Sequence, residues 1–370
     1  MIYILNRELE RLGMVTDFSY LLWRTKYNEQ GECEIIAPAT KRNIELLQIE
    51  NIIFRHDMKE NNAMVIYYRK IERNEYGERI INVKAFSMST WLSRRIFYGN
   101  KYFILTPKGI IEFLINSECI NPVLENRKIN NIDIVNSEDF GDVILMQFGY
   151  ENLLEKIESL CDTYDLGFRS KIDIVQNKVL FEVYEGENRV IDETGKTGCR
   201  LSVKFGNIIK SNLEQANNNF KNFALIGGEG EGQERIFVQN NNNYSNLDRF
   251  EIFVDASDLR KSTTDDGIEI NLTDEEYINA LQERGNEKLQ ENIETINFEC
   301  ELNIANSNTR LNKDFYLGDI VTIYDEEIGV TVNTRVVQVD EVFQNNQKNI
   351  YIEVGKPVPT LTDKFKKKVK

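Results

Sequence analysis

Histidine is almost missing from this chain: His56 is the single imidazole among 370 residues. That excludes every scheme needing two imidazoles and leaves a Ser/His/Asp triad only this ring to use. Its setting, Phe54-Arg-His-Asp-Met58, reads as a turn between apolar segments, so the ring is taken as a surface or half-buried one. Neither GxSxG nor HExxH occurs. Five cysteines, Cys33, Cys119, Cys161, Cys199 and Cys300, stand singly without CxxC or other ligand spacing. They read as reduced thiols, mostly buried. No run approaches the length of a membrane span, and Met1-Ile-Tyr-Ile-Leu-Asn-Arg7 holds too few apolar residues for a signal-peptide core. No membrane span is expected, and a cytoplasm is the expected place of synthesis and folding. Positive charge is also short, with 45 Lys and Arg against 60 Asp and Glu and a net charge of -15. Such a field repels a polyanion, so stable nucleic-acid binding is not expected. The one basic feature is the tail over 361–370, Lys364-Phe-Lys-Lys-Lys-Val-Lys370. It reads as solvated, with contact to an acidic neighbour as the alternative.

What remains is an ordinary soluble, folded composition, 41% hydrophobic and 28% charged. The length suits about two to four packed units. From Ile2 to Arg95 short β-branched and aromatic segments alternate with turn-formers. Met64–Glu72 and Arg79–Phe86 flank Asn74-Glu-Tyr-Gly77 as a hairpin, and Ser19–Tyr27 and Cys33–Pro38 flank Asn28-Glu-Gln-Gly31 as another. After Gly99 the period changes. Thr106-Pro107 supplies an N-cap and a first-turn proline ahead of Ile110, Ile111, Phe113 and Leu114. A second helix spans about Asn152 to Tyr164, with Gly167 as its stop, and strands 168–175 and 178–184 turn at Gln176-Asn177. Asp192–Gly198 reads as a linker. Strands resume at Cys199–Phe205 and Asn222–Ile226, while Gln239–Asn243 reads as an exposed loop tip and Ser257–Gly267 as irregular. Thr273-Asp-Glu-Glu276 is a capping box opening a helix with Gly285 as its weak point. Strand alternation returns in Phe298–Ile304, Asp319–Tyr324, Thr334–Val339 and Ile350–Val354. The fold class is therefore α+β and β-rich. The expected divisions are a β unit at 1–98, an α/β unit at 99–190, a second β unit at 191–360 with a helical insertion at about 272–296, and the tail at 361–370.

The search for chemistry yields little. Gly195-Lys196-Thr197 ends like a P-loop, but the first glycine of that motif would fall at Val190 and no helix pattern follows. A second cluster, Gly227, Gly228, Glu229, Gly230, Glu231 and Gly232, follows a strand as a phosphate loop would. Its glutamates occupy places where a polyphosphate needs bare amides, and no lysine closes it. It reads instead as a tight loop and as the candidate subunit or partner contact. Asp325-Glu-Glu327 and Asp265-Asp266 are carboxylate pairs of the kind an acidic chain holds by chance. Asp265-Asp-Gly267 lacks the ligand alternation of a calcium loop. No catalytic, cofactor or metal residues are assigned, and no cofactor is expected. Trp23 and Trp91 read as core.

The order of several segments carries a resemblance. They are Leu22-Trp-Arg-Thr-Lys-Tyr27 with Gly31-Glu-Cys-Glu-Ile-Ile-Ala-Pro38, Val83-Lys-Ala-Phe-Ser-Met-Ser-Thr-Trp-Leu-Ser-Arg-Arg95, Asn152-Leu-Leu-Glu-Lys-Ile157 with Tyr164-Asp-Leu-Gly-Phe168, Phe181-Glu-Val-Tyr-Glu-Gly186, Asn222-Phe-Ala-Leu-Ile-Gly-Gly-Glu-Gly-Glu-Gly232, Arg249-Phe-Glu-Ile-Phe-Val-Asp255 and Tyr316-Leu-Gly-Asp-Ile-Val321. Together they resemble the ReqiPepy-type siphovirus tail protein family over nearly the full length. That resemblance implies a baseplate-hub-like protein in which two β-barrel-like tube domains flank an α/β domain, giving a homotrimer pseudo-sixfold symmetry. It implies a non-enzymatic subunit that closes the distal tail tube in a phage, prophage, tailocin or other contractile injection system. The implied partners are the tail tube protein and other baseplate or tail-tip proteins, in a particle assembled after synthesis in the bacterial host. The chain stops at Lys370, short of the adhesive or wall-cutting extensions related tail-tip proteins carry, so those tasks are expected of other subunits. The net negative charge fits a lumen that does not retain DNA. A receptor- or carbohydrate-binding tail protein is the alternative, which the 16 tyrosines permit. A tail-associated enzyme comes third.

Overall fold

The computed structural model describes residues 2–73, 77–190, 198–265, 268–303, 309–327 and 329–355. The P-loop-like Gly195-Lys196-Thr197, most of the 192–198 linker, Asp266, Gly267 and the 361–370 tail lie outside the described residues. The chain opens with β1 (Ile2–Leu5), β2 (Arg11–Val15), β3 (Tyr20–Lys26), β4 (Glu32–Pro38), helix α1 (Lys41–Leu46), β5 (Ile52–Phe54), β6 (Ala63–Arg73) and β7 (Arg79–Ser87). A 3-10 turn at Met88–Arg94 leads to β8 (Asn100–Leu105), α2 (Pro107–Ile115), β9 (Ile132–Ile134), β10 (Ile144–Gly149), α3 (Leu153–Thr163), β11 (Gly167–Asp173) and β12 (Lys178–Tyr184). The last third holds β13 (Arg200–Leu201), β14 (Ile208–Ala216), β15 (Phe223–Gly227), β16 (Phe237–Asn240), β17 (Glu251–Asp255), β18 (Ser262–Asp265), β19 (Ile268–Asn271), α4 (Asp274–Gln290), β20 (Thr295–Leu302), β21 (Ile320–Asp325), β22 (Val330–Gln344) and β23 (Gln347–Gly355).

Both hairpins expected near the start form. β3 pairs antiparallel with β4, β6 pairs antiparallel with β7, and the side chains of β3 and β4 alternate in burial with the period of two that a half-buried sheet imposes. The β-rich α+β class holds, but the β units are not two closed barrels. One sheet runs β14-β20-β23-β22-β3-β4-β7-β6-β5-β1-β2, with β13 and β21 branching from β22. The β3–β22 pairing fuses the two ends of the chain, and among the described residues the path stays open at β2 and β14.

The capping predictions follow from local chemistry. Thr106 accepts from the Gly109 amide at 2.9 Å with Pro107 at the first turn of α2. Asn152 caps α3, and Thr273 and Glu276 close a reciprocal box on α4. α2 and α3 lay Ile110, Ile111, Leu114, Ile157 and Leu160 into a core shared with Phe103, Phe148 and Phe181 and with Ile52 and Val65 of the large sheet. α3 does not wait for Gly167 to stop. Its cap is Tyr164, and Asp165 takes the left-handed turn at φ 55°, a conformation a short polar side chain tolerates. Gly167 instead begins β11, where a Cβ would stand 2.4 Å from the Tyr27 ring.

β15, expected in the second β unit, pairs with β16 and β17 in a separate three-stranded sheet. α4 covers one face of that sheet through Tyr277, Leu281 and Leu289, packed on Ala224, Ile226 and Val254. Gly285 is the point of closest approach rather than a weak point, because a Cβ there would lie 2.7 Å from Ile226 and from Asn240. The asparagine run is mixed: Asn240 is buried and donates to the Gln282 carbonyl at 2.7 Å, while Asn241, Asn242 and Asn243 are exposed. The stretch read as irregular before Gly267 contains β18, which pairs with β19.

Candidate assembly interface

The join between the chain ends is built from charge and aromatic packing. β3 and β22 pair from Tyr20↔Gln344 to Lys26↔Gln338, which sets Trp23 opposite Glu341 and Arg24 opposite Asp340. Neighbouring side chains point to opposite faces of a strand, so each face of the join receives one arginine–carboxylate pair. On one face Arg24 grips Asp340 with three hydrogen bonds, Nε to Oδ1 at 2.9 Å and to Oδ2 at 3.2 Å and Nη2 to Oδ2 at 2.7 Å. On the other, Arg55 reaches over from the turn after β5. Its guanidinium lies 5.3 Å from the Trp23 ring and 5.2 Å from that of Phe343, pairing with Glu341 at 2.7 Å and Asp57 at 2.6 Å. Arg55 and Glu341 are both buried.

A second knot lies at the end of β3. The Tyr27 amide donates to the Val337 carbonyl at 2.9 Å, and its ring meets Tyr184 edge-on at 5.3 Å. Gly167 and Gly318 leave room for it, and Arg335 lies 4.9 Å above it while pairing with Asp165. β3, β22 and the α/β unit are thereby tied together at one point.

Along the main path of the large sheet, several edges have no strand partner among the described residues. β2 pairs only with β1, and β14 only with β20. The outer half of β6, from Tyr67 to Arg73, extends past β5, which pairs only with residues 63–65. β14 is mostly polar, with Lys210, Ser211 and Asn212 exposed, and it has a bulge between Ile208 and Lys210. Charge and a bulge are devices that discourage promiscuous pairing. Apolar side chains nevertheless stand at these edges: Leu12 is 48% exposed on β2 and Ile209 52% on β14.

The glycine loop divides into two parts. Gly227 and Gly228 are buried: Arg235 donates to their carbonyls at 2.8 and 3.0 Å, and a Cβ on Gly228 would stand 2.6 Å from the Tyr277 hydroxyl. The Glu229 amide donates to that hydroxyl at 2.7 Å. Glu229, Gly230, Glu231 and Gly232 are exposed, with Gly230 at φ 106° and Gly232 at φ 55°.

The remaining candidates stay dispersed. His56 is exposed in its turn and touches Tyr3 edge-on at 5.6 Å. All five cysteines are buried, and burial raises the thiols, those of Cys119 and Cys199 to about 12. Among the described residues no group of three or more His, Cys, Asp or Glu gathers in a metal-holding cluster. A cavity of about 500 Å³ lies between Arg7, Glu8, Lys128, Asp133 and Lys178, but Lys178 is paired with Asp133 at 2.6 Å and Arg7 with Glu50 at 3.1 Å. Its lining holds no serine, cysteine or histidine. Trp23 and Trp91 are buried, as read. The sequence reading missed Arg24, Arg55, Asp340 and Glu341. The Arg24–Asp340 partners are 316 residues apart, and no local motif marks them.

This arrangement of one long sheet with α/β units to its side is the fold of phage tail proteins. The structure is similar to a tail protein from Neisseria meningitidis MC58, with a TM-score of 0.58 and 10% identity over 96% of each chain. It is similar to the prophage tail protein gp18 from Listeria monocytogenes EGD-e, with a TM-score of 0.55 and 12% identity over 100% of this chain and 98% of that one. The 43 kDa tail protein of prophage MuSo2 from Shewanella oneidensis gives a TM-score of 0.58 and 10% identity over 95% and 97%. The chain belongs to the siphovirus ReqiPepy6 Gp37-like protein family, whose model it matches over residues 1–356. No curated protein matches it.

Proposed function

We propose that this protein is the hub subunit of a phage-type tail, a homotrimer that closes the distal tube and carries the neighbouring baseplate or tail-tip proteins. The observation that carries this reading is the single sheet spanning both chain ends, locked at β3–β22 and open at β2 and β14. In the trimer, residues 1–98 and 191–360 act as two barrel-like tube segments, so three copies present six segments to a hexameric tube. The open edges meet those of the next copy in a head-to-tail contact that closes because the rotation closes. The α/β unit at 99–190 faces outward toward partners, and the exposed end of the Gly227–Gly232 loop belongs to that contact surface. This role works by geometry and asks for no catalysis. A net charge of -15 suits a bore through which DNA passes without being held.

The test is the mass of the purified chain by light scattering, alone and mixed with tail-tube and adjacent baseplate proteins, with imaging by electron microscopy. Trimeric rings capping the tube are expected. Ile209→Glu should abolish them while leaving monomer stability within about 0.5 kcal/mol, as exposed substitutions do. A wild-type chain that stays monomeric with every partner would overturn the hub reading in favour of receptor or carbohydrate recognition.

A further inference from the structure

One face of the small sheet is covered by α4, and the other carries the exposed Phe237 and Phe253, with Arg249, paired with Glu251, stacked on Phe223 beside them. The strand register of the sheet places Phe237 beside Gly227 and Phe253 beside Leu225, on the side away from α4. Phe237 is 52% exposed and Phe253 53%. Arg235 lies across this face, 5.8 Å from one ring and 5.6 Å from the other, but its charge is already committed to Asp255 and to the Gly227 and Gly228 carbonyls. The end of the sheet is acidic. Glu231 and Glu234 are exposed and make no ion pair with another described residue, and Glu229 beside them accepts from the Lys261 amide at 3.0 Å. An apolar face with uncompensated negative charge at its end suits a cationic segment carrying an aromatic residue, and it repels nucleic acid or an anionic membrane.

The chain itself contains such a segment. Residues 364–370 hold five lysines together with Phe365 and Val369, and the family match ends before them, at residue 356. Gly355 pairs with Asn297, a few residues beyond the end of α4, and the start of α4 holds the acidic loop through Tyr277. The 17 residues of α4 make a helix about 25 Å long, and the nine residues from Gly355 to Lys364 can span about 30 Å. We propose that the C-terminal segment of the same chain docks on the face away from α4, with Phe365 against Phe237 and Phe253 and its lysines along Glu229, Glu231 and Glu234. Tethering supplies an effective concentration on the order of 1 mM, so even a contact with a Kd of about 50 μM is mostly closed. The inference does not rest on the hub reading.

Hydrogen–deuterium exchange of the full chain, compared with a chain ending at Thr360, tests it in segments 223–240 and 251–255. Slower exchange by roughly threefold or more is expected in the full chain at low ionic strength, independent of protein concentration and lost in about 1 M salt, where the Debye length falls to ~3 Å. A synthetic peptide of residues 361–370 should restore protection to the shortened chain. It should fail with Phe237→Ser/Phe253→Ser and weaken about tenfold with Glu231→Lys/Glu234→Lys, two surface variants whose folding the far-UV spectrum checks. Equal exchange in the two chains, or equal peptide binding by wild type and the double serine variant, would overturn the proposal. Protection that rises with protein concentration would overturn the intramolecular arrangement in favour of a second copy.

Discussion

The two places where outlying parts of the molecule meet are built on different plans. At β3–β22 a backbone ladder fixes the register, and arginines paired with carboxylates occupy both faces, one bidentate at 2.7 and 2.9 Å and one buried at 2.7 Å. Where α4 meets the β8–β10 strand pair and α3, each polar contact has a side chain on at least one side. Lys156 stands 3.9 Å from Glu287, Arg284 donates to the Gln147 carbonyl at 3.4 Å, and the Tyr164 hydroxyl donates to Glu283 at 3.3 Å. A ladder permits no sliding short of a whole register step, whereas long side chains absorb small displacements without losing partners. The first join is therefore rigid and the second adjustable. That division suits the hub proposed above, in which the sheet would match a fixed tube while the outer units adapt to neighbours.

Breaking the rigid join should give the largest effect. Arg55→Ala removes the nearer of the two cations on buried Glu341 and leaves it Lys348 at 3.1 Å, so the loss should approach, without exceeding, the about 3–5 kcal/mol that removal of one partner of a buried pair costs. Urea denaturation should register that loss as a lower midpoint with an unchanged slope. Arg55→Met/Glu341→Leu removes both charges and should recover most of it. If the double variant is as unstable as the single, the join depends on the ion pair itself rather than on avoiding an orphan charge.

The adjustable side is probed at Gly285, where α4 lies on β15 and β16. Gly285→Leu drives a side chain into Ile226 and Asn240, and overpacking of this kind costs about 1–3 kcal/mol. Limited proteolysis should then cut faster between 217 and 292, while the main unfolding transition stays in place. Loss of the main transition would mean that the small sheet and the large one unfold together.

What could be read from the sequence follows the same contrast. β3, β4 and β12 bury one face only, so their period of two is printed in Leu21, Trp23, Cys33, Ile35, Val179 and Phe181. Helix caps are local chemistry and were legible at Thr106 and Thr273. β14 was not, because Lys210-Ser-Asn-Leu-Glu-Gln215 lies on an open edge with little buried on either face. Gly167 and Gly285 were read as helix breakers, yet each is needed for space near a residue far away in sequence. The β3–β22 join was invisible for the same reason: its partners are brought together only by the finished sheet. In the candidate contact loop, the glycines were visible as a loop, but not the division between its buried first part and exposed second part.

Glu158 gives the smallest and most conditional effect, and it sharpens the comparison because it is a half-buried carboxylate whose nearest influence of positive sign is Lys26, itself paired with Glu29. It sits on α3 and accepts the Gln30 amide at 2.8 Å, tying the α/β unit to the β3–β4 turn. Burial raises its pKa from the ordinary carboxylate range to about 7, against the opposing pull of the Gln30 amide, and Glu29 pushes in the same direction as burial. The raised value means that the folded state keeps a proton the unfolded chain has released. Stability from this group is complete below the unfolded carboxylate pKa of about 4.3 and is lost as the pH rises through about 7. Glu158→Gln keeps an oxygen for the Gln30 amide and removes the titration. The variant should match wild type near pH 5 and exceed it near pH 8 by on the order of 1 kcal/mol, read as a melting temperature a few degrees higher. A difference of the same size at both pH values would assign the effect to packing, and Glu158 would then be no more costly to the fold than Glu341 with its arginine.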